Sequence, residues 1–125
     1  MQNLVLVMIG GGLGAGARYL VNQIVPKFAG TGFPWATIAV NIIGCLAMGL
    51  LVGILARRSG DASVLRLFLA TGILGGFTTF SAFSLDFVTL WQRGQGQLAF
   101  AYAALSVIGA LAAIFAGLWL VRGVG

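Results

Sequence analysis

The sequence predicts an all-α membrane protein of four spanning helices in a single domain, residues 1–125, and two observations carry that class. Of 125 residues, 60% are hydrophobic and 7% are charged, with a mean hydropathy of +1.07. A soluble domain carries about 25% charge. The few charges are also spaced apart: Phe28 to Ala56, Leu67 to Leu85 and Gly94 to Val121 hold none, and Met1 to Pro26 holds only Arg18. A spanning helix needs roughly 20 mostly apolar residues, so four spans use about 80 to 100 positions and leave no room for an extramembrane domain.

The first span runs from about Leu4 to Val25. No Lys or Arg precedes its apolar run and no cleavage signature follows, so it reads as a span and not a signal peptide. Pro26-Lys27 and then Gly30-Thr31-Gly32 make the first turn. The second span starts near Phe33-Pro34-Trp35, where proline suits the first helical position and the aromatics suit the membrane interface, and it ends at Arg57-Arg58. Ser59-Gly60-Asp61 turns the chain, and Ala62 to Arg66 is expected along the interface before the third span enters.

That third span, about Leu67 to Trp91, contains Gly72, the pair Gly75-Gly76 and then the polar run TTFSAFS. Paired glycines followed by Thr and Ser side chains that bond nearby backbone mark a place where a membrane helix unwinds, so a break is expected near Gly75–Ser81. The fourth span, about Leu98 to Val121, is regular and ends at Arg122.

Twenty glycines are about twice the usual share of roughly 7%. Small residues four apart, as in Gly10/Gly14, Gly12/Gly16, Gly49/Gly53 and Gly109/Ala113/Gly117, let helices approach closely in lipid. Four spans place both termini on one side. Arg57, Arg58, Arg66 and Arg122 then share that side, Lys27 and Arg93 lie on the other, and Arg18 sits inside the first span. This bias is weak, so insertion in both orientations is allowed.

Missing residue types exclude chemistry. With no histidine, one cysteine (Cys45) and only Asp61 and Asp86 as acids, neither a zinc cluster nor an intrachain disulfide nor a Ser/His/Asp triad can be built, so an enzyme is not expected. A pI near 10.8 arises from seven scattered cations without a basic face, so nucleic acid is not an expected partner.

Polar groups within spans cost energy unless partnered, and so point to function. Thr37, Asn41 and Cys45 are spaced four apart on the second span, as are Tyr102 and Ser106 on the fourth; for any one of them alone, interhelical glue is the better reading. On the third, Phe80 and Phe83 are three apart, with Thr78, Thr79, Ser81 and Ser84 beside them. A phenyl edge carries partial positive charge and attracts a small anion without a formal countercharge, although two Phe at helical spacing also suit plain packing. An unwound turn frees carbonyls, with Gly75 and Thr78 the candidates to hold sodium; a hydrated kink is the alternative. Arg18 and Asp86 either pair, or Arg18 faces a water-filled vestibule and draws anions in.

Taken together, GLGAGAR ending in Arg18, PWATIAVN ending in Asn41, TGILGGFTTFSAFS from Thr71 to Ser84, and Tyr102 with Ser106 resemble the Fluc (CrcB) family of bacterial fluoride channels over essentially the whole chain. The resemblance implies an antiparallel, dual-topology homodimer in the bacterial cytoplasmic (inner) membrane. It implies two passive fluoride pathways and a structural sodium ion at the dimer centre. Phe80 and Phe83 would line the pores with their ring edges, and Asn41 would be an amide donor. Thr79, Ser81, Tyr102 and Ser106 would be polar pore-side groups, Arg18 a vestibule residue, and the Gly75 and Thr78 carbonyls the sodium ligands. The rival reading is a small multidrug-type four-span dimeric cation transporter. Proton-coupled export needs a membrane carboxylate, a glutamate in the first helix of that family; this chain has no Glu and only Asp86 as a substitute. A non-transporting membrane subunit is a further rival, but gives no reason to gather GGFTTFSAFS in one span.

Overall fold

The computed structural model describes residues 1–58 and 60–124; Ser59, of the turn expected at Ser59-Gly60-Asp61, lies outside the described residues. Four helices among them are long and apolar enough to cross a membrane, as the composition requires. They comprise α1 (Gln2–Ala29), α2 (Trp35–Arg57), a third span made of α3 (63–77) and α4 (Ser81–Gln92), and α5 (Gly96–Val124).

Three boundaries differ from expectation. Helix α1 runs through Pro26 to Ala29, because a proline near a helix end forfeits a single backbone bond; the chain turns only at Gly30, whose φ of 80° suits a residue without Cβ and whose N–H donates to the Pro26 carbonyl at 3.0 Å. Pro34 caps α2 from outside instead of taking its first position. Ala62 to Arg66 does not form a separate interfacial piece. Ser63–Arg66 is the first turn of α3 and continues through a π-helical stretch, Leu67–Leu74, into Gly75–Phe77, since no breaker intervenes and the long Arg66 side chain can reach the membrane edge. The wide π turns have no simple signature in the sequence. Ahead of α3, Asp61 accepts the Ser63 N–H at 2.9 Å, and that bond holds its carboxyl below the usual carboxylate range.

The spans pack as two pairs, α1 with α3 and α2 with α5. A Cβ on Gly10 would lie 2.9 Å from the Phe68 carbonyl oxygen and 3.0 Å from the Gly72 Cα; Gly14 sits against the Ile73 carbonyl, and Gly76 against the Gly11 backbone. In the other pair, a Cβ on Gly117 would lie 2.7 Å from the Leu50 N, Gly49 faces the Ile114 carbonyl, and Gly53 meets the Val121 side chain. Residue numbers rise together across both contacts, so each pair is parallel. A Cβ on Gly12 or Gly16 would meet nothing within 4 Å among the described residues: this stripe faces outward, rotated away from the Gly10/Gly14 contact.

Gly14→Ala is therefore expected to destabilise the protein by about 1–3 kcal/mol, since its methyl meets backbone that cannot rotate away. Gly32→Ala, in an open loop with nothing near it, should stay within about 0.5 kcal/mol. Unfolding titrations of both variants in mixed micelles check this contrast.

A buried core of Ile38, Leu90, Ala99 and Tyr102, with Phe33, Ile42, Phe83 and Phe87 against it, joins α2, α4 and α5. At the opposite end Arg57 donates to the Val121 carbonyl at 2.8 Å and ties α2 to α5.

Candidate functional site

The helix of the third span stops at Phe77 and restarts at Ser81. This span covers Ser63–Gln92, which puts the break at its middle. Thr78 is extended (φ −83°, ψ 157°) while Gly75 and Gly76 remain helical, so the opening lies on the C-terminal side of the glycine pair, inside the Gly75–Ser81 window.

Side chains hold the break open. Asn41, one turn after Thr37 on α2, donates from Nδ2 to the Thr79 carbonyl at 3.0 Å and accepts the Thr79 N–H on Oδ1 at 2.8 Å. The Thr79 hydroxyl accepts the N–H of Ala82, in the first turn of α4, at 3.1 Å, and it lies 3.3 Å from the Ser81 hydroxyl. Thr78 bonds back to the Leu74 carbonyl through both its N–H and its hydroxyl, each at 3.0 Å.

These bonds have a consequence for the carbonyls. In a continuous helix the Gly75 carbonyl would accept from Thr79 N–H and the Thr78 carbonyl from Ala82 N–H. Both amides are taken, by Asn41 and by the Thr79 hydroxyl, so both carbonyls lose their helical donors. Between them the Gly76 carbonyl accepts from Arg18 Nε at 3.1 Å. Arg18 is therefore joined to the break and does not pair with Asp86.

Asp86 is held instead by two hydroxyls, Thr37 at 2.7 Å and Tyr102 at 3.0 Å, both on Oδ2. It borders a cavity of about 230 Å³ that Asn22, Thr37, Thr89 and Arg93 also line, at the end where α1 turns into α2. A second, larger cavity of about 480 Å³ lies at the break and includes Asn41, Cys45, Gly75, Phe80, Phe83 and Ser106 in its wall. Rings connect the two regions: Phe80 and Phe83 have centroids 5.5 Å apart, Phe83 and Tyr102 5.3 Å, and Tyr102 meets Phe33 edge-on at 5.6 Å.

The residues singled out in the sequence thus divide by surroundings. Asn41, Phe80, Phe83, Thr79 and Ser106 meet at the larger cavity, and Gly75 and Thr78 border it. Ser81 is exposed beside Thr79, and Tyr102 is fully buried between the cavities. Phe80 is 77% exposed on the subunit surface. Sequence reasoning missed the Thr37–Asp86–Tyr102 cluster, although an in-span acid must find donors, and Thr37 shares the Asn41 face of α2.

Such an arrangement presents neutral donors and ring edges around space at mid-membrane, with no metal-binding group of acids, His or Cys among the described residues. Comparison with known proteins gives it a context. Residues 5–118 match the family described as CrcB-like protein, Camphor Resistance (CrcB). A fluoride-specific ion channel FluC of Mesorhizobium japonicum is 61% identical over 122 residues, covering 98% of both chains. One from a Chelativorans species is 52% identical over 124 residues, 99% of both, and one from Sphingopyxis alaskensis is 53% identical over 122 residues, 98% of this chain and 97% of the relative. With near-complete coverage at these identities and the broken, hydroxyl-rich third span in place, the chain belongs to the CrcB family, a family of ion channels and not of enzymes.

Proposed function

We propose that the protein is a passive, fluoride-selective channel in the cytoplasmic membrane, working as an antiparallel homodimer with two pathways. The observation that carries this reading is the break at mid-span, where Asn41, Ser106, Phe80 and Phe83 surround the larger cavity. Irregular backbone at membrane depth is tolerated only where protein or a water-filled cavity covers it. Thr79, Ser81 and the exposed Phe80 beside it supply the surface that a second copy would cover.

Fluoride is small and strongly hydrated, so a pore must replace water with donors and still let the ion leave. The Asn41 Nδ2 proton that Thr79 does not use, the Ser106, Thr79 and Ser81 hydroxyls, and the ring edges of Phe80 and Phe83 are all neutral. A fixed cation would hold the ion too tightly. Tyr102, one helical turn from Ser106, continues the path toward Asp86 and the outer cavity. Arg18, on the half of α1 nearer that end, attracts anions with the part of its guanidinium that Gly76 does not engage.

The Gly75 and Thr78 carbonyls would hold a sodium ion, and their chemistry suits it: two hard oxygen donors deprived of their helical amides, doubled by a second subunit. Such an ion supplies the positive charge that satisfies carbonyls in low dielectric. Asn41 and Thr79 keep those carbonyls free by occupying the competing amides.

Purified protein in liposomes should pass fluoride down its gradient, strongly in preference to chloride and without a proton gradient. Folded protein in fluoride-tight liposomes overturns the reading. Phe80→Ile and Phe83→Ile should each lower flux about tenfold, equivalent to about 1.4 kcal/mol of lost stabilisation, with the assembly state unchanged by size-exclusion chromatography. Unaltered flux in both variants removes the ring-edge contribution. Exchange of sodium for a larger cation throughout purification should likewise impair flux.

A further inference from the structure

A third cavity, of about 500 Å³, lies far from the break, where the turn between α2 and α3 meets the membrane edge. Arg58 and Asp61 border it from the turn, and Leu6, Val64, Leu65 and Phe68 border it from α1 and α3. Both charged residues are exposed, and Arg58 follows the last residue of α2 in extended conformation, with ψ at 139°. Its neighbour Arg57 is already spent on the helix end, through the bond to the Val121 carbonyl. The bonds that hold the Asp61 carboxylate come from Ser63 and not from Arg58, so a cation and an anion border one cavity without being partners. Val64 is 55% exposed and Leu65 38%, which leaves apolar side chains uncovered beside the two charges. A water-soluble ion would answer the charges and leave the apolar surface bare, and an acyl chain alone would do the reverse. A phospholipid answers both.

From this placement we propose that the cavity binds a phosphatidylethanolamine, its phosphate on Arg58, its primary ammonium on Asp61 and an acyl chain over Leu6, Val64, Leu65 and Phe68. A guanidinium matches phosphate oxygens with two parallel N–H donors. The ammonium donates to the carboxylate, whose oxygens offer about four lone-pair sites, more than Ser63 engages. Other headgroups fit less well. Phosphatidylglycerol brings Asp61 a like charge and no cation. Phosphatidylcholine brings a cation with no N–H to donate. Arg66, exposed on α3 at the same end, attracts phosphates of every kind and does not discriminate among headgroups. The bound lipid would hold the α2–α3 turn at headgroup level, a role independent of the fluoride path at mid-span.

The test places the full chain in nanodiscs of equimolar dioleoyl phosphatidylethanolamine, phosphatidylcholine and phosphatidylglycerol, and reads the lipid that stays bound on release by native mass spectrometry. The wild type should retain phosphatidylethanolamine about fivefold over either competitor, the scale of one charged contact near a membrane surface. Asp61→Asn keeps an acceptor for the Ser63 N–H, so α3 starts as before, and it should retain phosphatidylethanolamine and phosphatidylcholine equally. Arg58→Gln should lower retention of all three lipids about fivefold. Both positions are exposed in a turn, and the wild-type competition is decisive without either variant. Equal retention of the three lipids by the wild type overturns the proposal, as does a preference for phosphatidylglycerol, which would mark a general anionic-lipid patch. A phosphatidylethanolamine preference that either substitution leaves intact also overturns it. So does a wild-type dimer that retains no lipid, which would assign this face to a second copy of the chain.

Discussion

Asn41→Ala is expected to close the break and lower fluoride flux at least about a hundredfold. Both bonds from Asn41 end on the main chain of one residue, Thr79, at 3.0 and 2.8 Å. Removing the side chain leaves an N–H and a C=O unpaired at membrane depth, where each orphan costs about 1–3 kcal/mol. The combined loss of about 2–6 kcal/mol has one cheap remedy. Thr79 N–H can return to the Gly75 carbonyl, regenerating helix and consuming a carbonyl that the open form presents. Hydrogen exchange at Thr79 and Ala82 should slow as the helix re-forms, while flux falls. Asn41→Asp keeps the acceptor for Thr79 N–H and loses the donor, so it should lie between the wild type and alanine. Wild-type exchange and flux in Asn41→Ala would show that the break stands without its clamp.

The second large effect belongs to Asp86→Ala. Thr37 is 6% exposed and Tyr102 fully buried, and the hydroxyls of both donate to the same carboxylate oxygen. A buried hydroxyl left without its acceptor costs about 1–3 kcal/mol, and alanine leaves two such hydroxyls. A loss of about 3–5 kcal/mol is expected in unfolding titrations. Asp86→Asn retains an oxygen acceptor and should lose no more than about half of that. Equal losses for the two variants would mean that charge, and not the hydroxyl network, sets the stability of this end of the bundle.

Much of the fold was legible because lipid makes strong demands on composition. Twenty-odd apolar residues between charges admit one interpretation, and the break followed from glycines beside hydroxyls in GGFTTFSAFS. What was not legible depended on rotation about helix axes. Gly10/Gly14 and Gly12/Gly16 have the same spacing, but only the first pair touches α3 within the subunit. In water an apolar stripe would mark the inward face; in lipid both faces are apolar, so periodicity carries no direction. Pairing of polar side chains was hidden for the same reason. Asn41 read as a donor toward an ion, and its second bond, with Thr79 N–H as donor, depends on a main-chain conformation that exists only once the helix is open. Asp86 found its partners on α2 and α5, and Arg18 found its own at the Gly76 carbonyl.

Main chain lies directly against main chain where α1 meets α3: Gly11 against Gly76, Gly14 against the Ile73 carbonyl, and Gly10 against Gly72. A spacing set by side chains can breathe as rotamers exchange, and drifts when one residue replaces another. Here covalent geometry sets it. The first helix therefore acts as a fixed rail for the half of the broken span that carries Gly75, and membrane thickness or lateral pressure should be taken up elsewhere, in the short connections around Gly30 and Gly94. Substitutions across the outer surfaces of the bundle can then accumulate over evolutionary time while the position of the opening stays put.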